Sequence, residues 1–225
     1  MKIGIIAALD CEMEQFCENF GAVKTEHFGI FEGKCCGHLV YICLAGVGKV
    51  NAAANTQRLV DLFCVDCVIN SGVAGCISKE LSVCDIAISE SLTYHDFYPI
   101  NVLDKYAPFS SVFKADERLV SLCKSACREI GDDTFKFKTG MIVTGDVFVE
   151  DSKVVARLRE DYDALCTEME GAAVAHVCVL NKVPFVVIRA MSDNADENAD
   201  MSFEEMSAVA AKRASFVSEY IIKNL

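Results

Sequence analysis

The chain has 225 residues, 52% of them hydrophobic, and its 33 acidic and 21 basic side chains leave a net charge of −12. A chain of this length buries roughly 70% of the surface its unfolded form exposes, which suits one domain over residues 1–225 and excludes a disordered protein. The negative charge repels nucleic-acid phosphates and offers no basic stripe to a membrane, so neither is expected as a partner, and a neutral or cationic small molecule is favoured.

Met1 to Phe16 has a single lysine and an apolar run of about seven residues followed by acids, unlike a secretory signal. No other apolar stretch approaches the roughly 18 residues of a membrane span, so a soluble cytoplasmic protein is expected. The first apolar run, Lys2 to Ala8, reads as a buried strand, and Cys11 to Phe20 as the helix after it. Gly29 to Ala45 holds two β-rich runs broken at Gly33 and Gly37, which predicts a hairpin. Gly48 to Phe63 shows helical spacing, and Val65 to Asn70 is a strand that runs into Ser71-Gly72-Val73-Ala74-Gly75, where Gly72 to Gly75 reads either as a turn whose backbone closely approaches a ligand or as a plain tight turn. Further strands are predicted at Asp85 to Ser91, Lys136 to Thr144, Ala164 to Met169 and Phe185 to Met191. Helices are predicted at Ala115 to Ile130, Ser152 to Arg159, Ala172 to Leu180 and Phe203 to Lys223, the last opened by Ser202-Phe203-Glu204-Glu205. The alternation, with strands apolar on both faces, predicts an α/β fold with a mostly parallel central mixed sheet flanked by helices.

The 13 cysteines are scattered through apolar segments and read as small buried hydrophobes. Cys64 and Cys67 form a CxxC, but no second pair at zinc spacing accompanies it, and no two histidines stand four apart on a helix, so no metal is expected. Gly46-Val47-Gly48-Lys49 satisfies neither phosphate-loop nor dinucleotide spacing, so no cofactor is expected.

In open α/β sheets ligands sit beyond the carboxyl ends of the strands. Those ends are acidic here: Asp10, Glu12 and Glu14 after the first strand, Glu168 and Glu170 after another, and Arg189, Ser192 and Asp193 after the last. If Cys166 to Glu170 is extended, Glu168 and Glu170 share one face, with Met169 opposite; the alternative is a helix N-terminus, where acids need no ligand. An Asp193 buried at a strand end gains a raised pKa and can donate a proton, unless it or Ser192 merely caps a turn. Tyr94-His95-Asp96 is read as polar lining at a site edge.

Taken in order, KIGIIAALDCEME, GVGKVNAAANTQ, INSGVAG, YHDF, GMIVTGDVF, TEMEGAAVAHVC and VPFVVIRAMSDNAD followed by SFEE closely resemble the 5′-methylthioadenosine/S-adenosylhomocysteine nucleosidases of the purine nucleoside phosphorylase-like superfamily. The resemblance implies hydrolysis of an N-glycosidic bond. Asp193 matches the acid that protonates adenine N7, with Ser192 orienting it. Glu12 matches the residue that positions water, Glu170 the carboxylate on the ribose hydroxyls, and Met169 the thioether against the sugar. Phe148 matches the ring stacked on adenine and Val149 the backbone reading the base edge. Leu9, Val47 and Phe203 would wall the alkylthio pocket, Arg189 would support Glu12 and the water, and Val73, Ala74, Gly75 and Glu168 complete the contact set. The resemblance also implies a homodimer whose neighbouring loop, here Phe97 to Pro108, closes the site, and a place in methionine salvage. Val73 stands where many relatives carry serine, and Leu9 where methionine is frequent. A phosphorylase, an aminofutalosine-type nucleosidase and a non-catalytic nucleoside binder are the competing readings; a phosphorylase needs an anion site that the chain's arginines do not suggest.

Overall fold

The computed structural model describes residues 1–129, 135–194 and 203–225, the side chains of 194, 203–206 and 208 excepted. The strands are β1 (Lys2–Ala7), β2 (Val23–Lys24), β3 (Ile30–Cys35), β4 (His38–Leu44), β5 (Cys67–Cys76), β6 (Ile86–Tyr94), β7 (Phe113–Lys114), β8 (Phe137–Thr144), β9 (Ala164–Glu168) and β10 (Phe185–Asn194). The helices are α1 (Asp10–Phe20), α2 (Lys49–Phe63), α3 (Val102–Lys105), α4 (Glu117–Glu129), α5 (Ser152–Tyr162), α6 (Gly171–Asn181) and α7 (Phe203–Asn224).

Strand β1 shows why the sequence folds in layers. Its side chains alternate across the sheet: Ile3, Ile5 and Ala7 face a core shared with α1, α4 and α7, whereas Ile6 faces a second core shared with α2 and α6. Both sheet faces are therefore covered, which explains strands that are apolar at every position. Ile3, Ile5 and Ile6 are fully buried, each stabilising the fold by about 1.5–3 kcal/mol. Helix α6, apolar on every side, fits because it is enclosed between the sheet and α2.

All ten strands join one mixed sheet in the order β10-β6-β8-β9-β5-β1-β4-β3-β2, with β7 on β6. Parallel ladders link β4, β1, β5 and β10, and also β6, β8 and β9; β3–β4, β5–β9 and β6–β10 are antiparallel. Because β10 pairs with both β6 and β5, the strands β5, β9, β8, β6 and β10 close into a ring. The expected α/β class holds, and the hairpin is β3–β4.

Several boundaries differ from expectation. The Ser71 to Gly75 segment is not a turn: β5 continues through it to Cys76. Gly72 accommodates the Glu12 and Arg189 side chains, which press on the backbone there, a strand use of glycine that sequence alone reads as a turn. Strand β10 likewise runs through Ser192 and Asp193, with a bulge between Met191 and Asp193, so neither residue is a helix or turn cap. Strand β6 extends to Tyr94, and α3 and the two-residue strands β2 and β7 were not foreseen. Ile130 and the Ser202 cap position lie outside the described residues.

Candidate active site

A cavity of about 180 Å³ opens where β1, β5, β9 and β10 end. Leu9 reaches it from the β1–α1 junction, Val47 from the loop before α2, and Val73, Ala74 and Gly75 from β5. Phe148 and Val149 come from the loop after β8, Met169 from the β9–α6 junction, and Ser192 from β10. Thr167 of β9 and four carboxylic acids, Glu12, Glu168, Glu170 and Asp193, also line it.

Glu12 is buried, and its carboxylate accepts hydrogen bonds from the backbone N–H of Ala8 (2.8 Å), Leu9 (3.0 Å) and Val73 (3.0 Å). Burial pushes its pKa up, while the charge of Arg189 and these N–H donors pull the other way. The acid is thus fixed at the junction of three elements. Gly72 makes this possible: a Cβ there would overlap the Glu12 carboxylate and lie 2.9 Å from Arg189 Nη1.

Glu168 and Glu170 were expected on one face of a strand with Met169 opposite. Instead β9 stops at Glu168, the chain bends, and Glu170 is the N-cap of α6, so all three residues border the cavity. The two acids then part company. Glu168 is consumed by structure: it accepts the Thr144 hydroxyl, the N–H groups of Glu170 (3.0 Å) and Gly171 (2.7 Å), and the Arg189 guanidinium. Glu168 borders the cavity, and its lone pairs also cap α6 and pair Arg189. Glu170 accepts only the Gly48 N–H (2.8 Å) and stands 3.6 Å from Arg189 Nη2. Burial, and next the charge of Glu168, push the Glu170 carboxyl up to about 7, against Arg189 and the Gly48 N–H.

Arg189 was expected among the substrate-binding residues and in support of Glu12. It does not border the cavity; it is 2% exposed and donates from Nη2 to Glu168 and to Asn70 Oδ1 (2.7 Å). It is the buried counter-charge behind the acids, acting on Glu12 through space rather than by contact. One guanidinium facing three carboxylates cannot neutralise them all, which is why burial can hold a proton on one.

Asp193 is partly buried, and its Oδ2 accepts the Ser192 hydroxyl at 2.7 Å. Burial raises its pKa; the Ser192 bond opposes the rise and the charge of Glu150 adds to it. No lysine or arginine borders the cavity among the described residues. The side chain of Phe203 lies outside the described residues.

A polar network outside the cavity braces two of its walls. Lys49 Nζ pairs with Asp96 at 2.7 Å and Asp146 at 3.6 Å, Asp146 accepts the Lys49 N–H (2.8 Å), and its own N–H donates to Asp96 (2.8 Å). Tyr94-His95-Asp96 therefore supports the site from behind rather than lining it. Sequence reasoning passed over Asn70, Thr144 and Thr167; each is a polar residue in or at the end of an otherwise apolar strand, which is the signal that could have found them.

The family model described as the phosphorylase superfamily matches residues 2–223. A 5′-methylthioadenosine/S-adenosylhomocysteine nucleosidase from Neisseria meningitidis, solved with methylthio-immucillin-A, is 35% identical with a TM-score of 0.90 over 100% of this chain and 99% of that one. The chain belongs to this nucleosidase family of the phosphorylase superfamily. A second member, from Colwellia psychrerythraea in complex with adenine, is also 35% identical, with a TM-score of 0.92 over 100% of this chain and 96% of its own. A futalosine hydrolase of Helicobacter pylori is 30% identical, with a TM-score of 0.89 over 100% and 98% of the two chains. Membership makes the protein an enzyme of the nucleosidase type, and the acid-lined cavity sits where such an α/β sheet holds its ligand.

Proposed function

We propose that the protein hydrolyses the N-glycosidic bond of 5′-methylthioadenosine and S-adenosylhomocysteine, releasing adenine and the 5-thioribose product. The observation that carries this reading is the convergence, in one cavity, of Asp193, whose carboxyl is pushed above its ordinary range by burial, with the buried acids Glu12 and Glu170. Protonated Asp193, oriented by Ser192, gives its proton to purine N7. The C1′–N9 bond then breaks with its electron pair passing to adenine, leaving an oxocarbenium-like sugar. Glu12 positions a water, takes its proton as the oxygen bonds C1′, and the carboxylates stabilise the developing positive charge. Glu170 accepts the ribose hydroxyls, Met169 packs on the sugar, Phe148 stacks on the base and the Val149 backbone reads its edge. Leu9 and Val47 wall the alkylthio pocket.

A phosphorylase would need cations for phosphate, and the described lining carries acids instead. Arg58 is occupied elsewhere, with Asn55 Oδ1 and the Phe28 carbonyl. The likeness to a futalosine hydrolase favours keeping an aminofutalosine-type nucleoside as a second substrate reading. The working unit is read as a cytoplasmic homodimer in methionine salvage, with the partner's Phe97–Pro108 segment closing the alkylthio end.

Asp193→Asn and Glu12→Gln test the assignment, since both keep side-chain volume. Each is expected to lower kcat by at least about 10²-fold while adenine still binds. A variant that turns over within a few-fold of the parent removes its residue from the mechanism.

A further inference from the structure

We infer that Thr167 is a specificity-determining residue whose hydroxyl donates a hydrogen bond to N3 of the purine. Thr167 is 6% exposed, borders the cavity, and its Oγ1 is buried without a hydrogen-bond partner. A buried hydroxyl with no partner costs free energy, so its presence on a cavity wall points to a ligand atom.

Register identifies which atom. Gly75 pairs with Asp193 on one side and with Thr167 on the other. Residues directly opposite across neighbouring strands project to the same face, so Asp193 and Thr167 flank a floor that Gly75 leaves clear. Two strand spacings separate their backbones by about 10 Å, the span of a purine hydrogen-bonded at both edges. Val143, the parallel partner of Thr167 in β8, packs in a cluster with Val149, so this floor belongs to the base end of the cavity.

The inference rests on the nucleosidase reading above. With Asp193 on N7 and the Val149 backbone on the N1 and N6 edge, N3 is the remaining ring acceptor, and it lies across the ring fusion from N7. A threonine O–H suits an acceptor nitrogen and rejects a base that presents C–H there.

The test compares the parent enzyme, Thr167→Val and Thr167→Ser on 5′-methylthioadenosine and on its 3-deaza analogue. Valine is isosteric and favours strands, so the fold survives, and loss of an unpartnered hydroxyl leaves the ligand-free melting temperature unchanged or higher. The expected result is that Thr167→Val lowers kcat/KM for the parent nucleoside by about 3- to 10-fold, with no loss on the 3-deaza analogue, and that Thr167→Ser keeps the discrimination. Equal losses on both nucleosides, no loss on either, or a lowered melting temperature with equal losses would each overturn the contact. If the parent enzyme does not cleave 5′-methylthioadenosine at all, the nucleosidase reading fails instead, which separates the two outcomes.

Discussion

At Gly72 a single hydrogen in place of a side chain decides whether Glu12 and Arg189 can approach β5 together. Gly72→Ala is therefore expected to displace the Glu12 carboxylate from the Val73 N–H and to cost far more in kcat than in KM; kinetics with the crystal structure of the variant check this. Parent-like kcat would show that the close approach is dispensable. Glu170 carries a different consequence. Its folded pKa is raised, to about 7 from the ordinary carboxylate value of 4.5, so its contribution to stability is complete below 4.5 and is lost as pH rises through 7. Urea unfolding of the ligand-free protein should show stability declining between about pH 4.5 and pH 7, and Glu170→Gln should flatten that decline. An unchanged slope in the variant would assign the proton elsewhere. The sequence displayed these acids because they follow apolar runs. It could not display that Glu168 and Glu170 diverge, since that depends on where Thr144, Gly48 and Arg189 meet them in space.

The junctions between elements, more than the elements themselves, hold the chemistry. Helix α6 begins on the Glu168 carboxylate, which is also the closest counter-ion of Arg189. Glu168→Gln leaves that buried guanidinium undercompensated, and a loss of about 3 kcal/mol or more in unfolding free energy is expected. A change below about 0.5 kcal/mol would mean the pair is not structural. The strand and helix assignments were legible because β1 and the first half of β10 are unbroken apolar runs and α2 shows helical spacing. The extension of β5 through Ser71-Gly72-Val73-Ala74-Gly75 was not, since glycines that admit a neighbour's side chain carry the same letters as glycines that turn a chain. Nor was the bracing of the Gly48 and Phe148 loops by Lys49, Asp96 and Asp146, which joins residues far apart in the chain. Lys49→Met should loosen both walls and raise KM more than it lowers kcat, by steady-state kinetics on 5′-methylthioadenosine.

Among the described residues, large apolar side chains stand exposed at Phe28 (91%), Val50 (79%), Tyr98 (95%), Tyr106 (67%) and Phe109 (71%). Three of them, Tyr98, Tyr106 and Phe109, fall in or just beyond the Phe97–Pro108 segment that the proposed dimer would cover, which favours that reading. Tyr98→Asp is expected to shift sedimentation equilibrium toward monomer and to lower activity with it; a fully active monomer would remove the partner's loop from the site. The cysteines follow the reading of small core residues for the most part, with Cys36 and Cys64 exposed and Cys67 buried, so the CxxC brings no two accessible thiols together. The central claim is that acids, a water and no phosphate break the glycosidic bond. Incubating the purified protein with 5′-methylthioadenosine in phosphate-free ¹⁸O-labelled water tests it most directly. Adenine should be released with the label at C1 of free 5-methylthioribose, whereas release that requires phosphate and yields a sugar 1-phosphate would contradict the account.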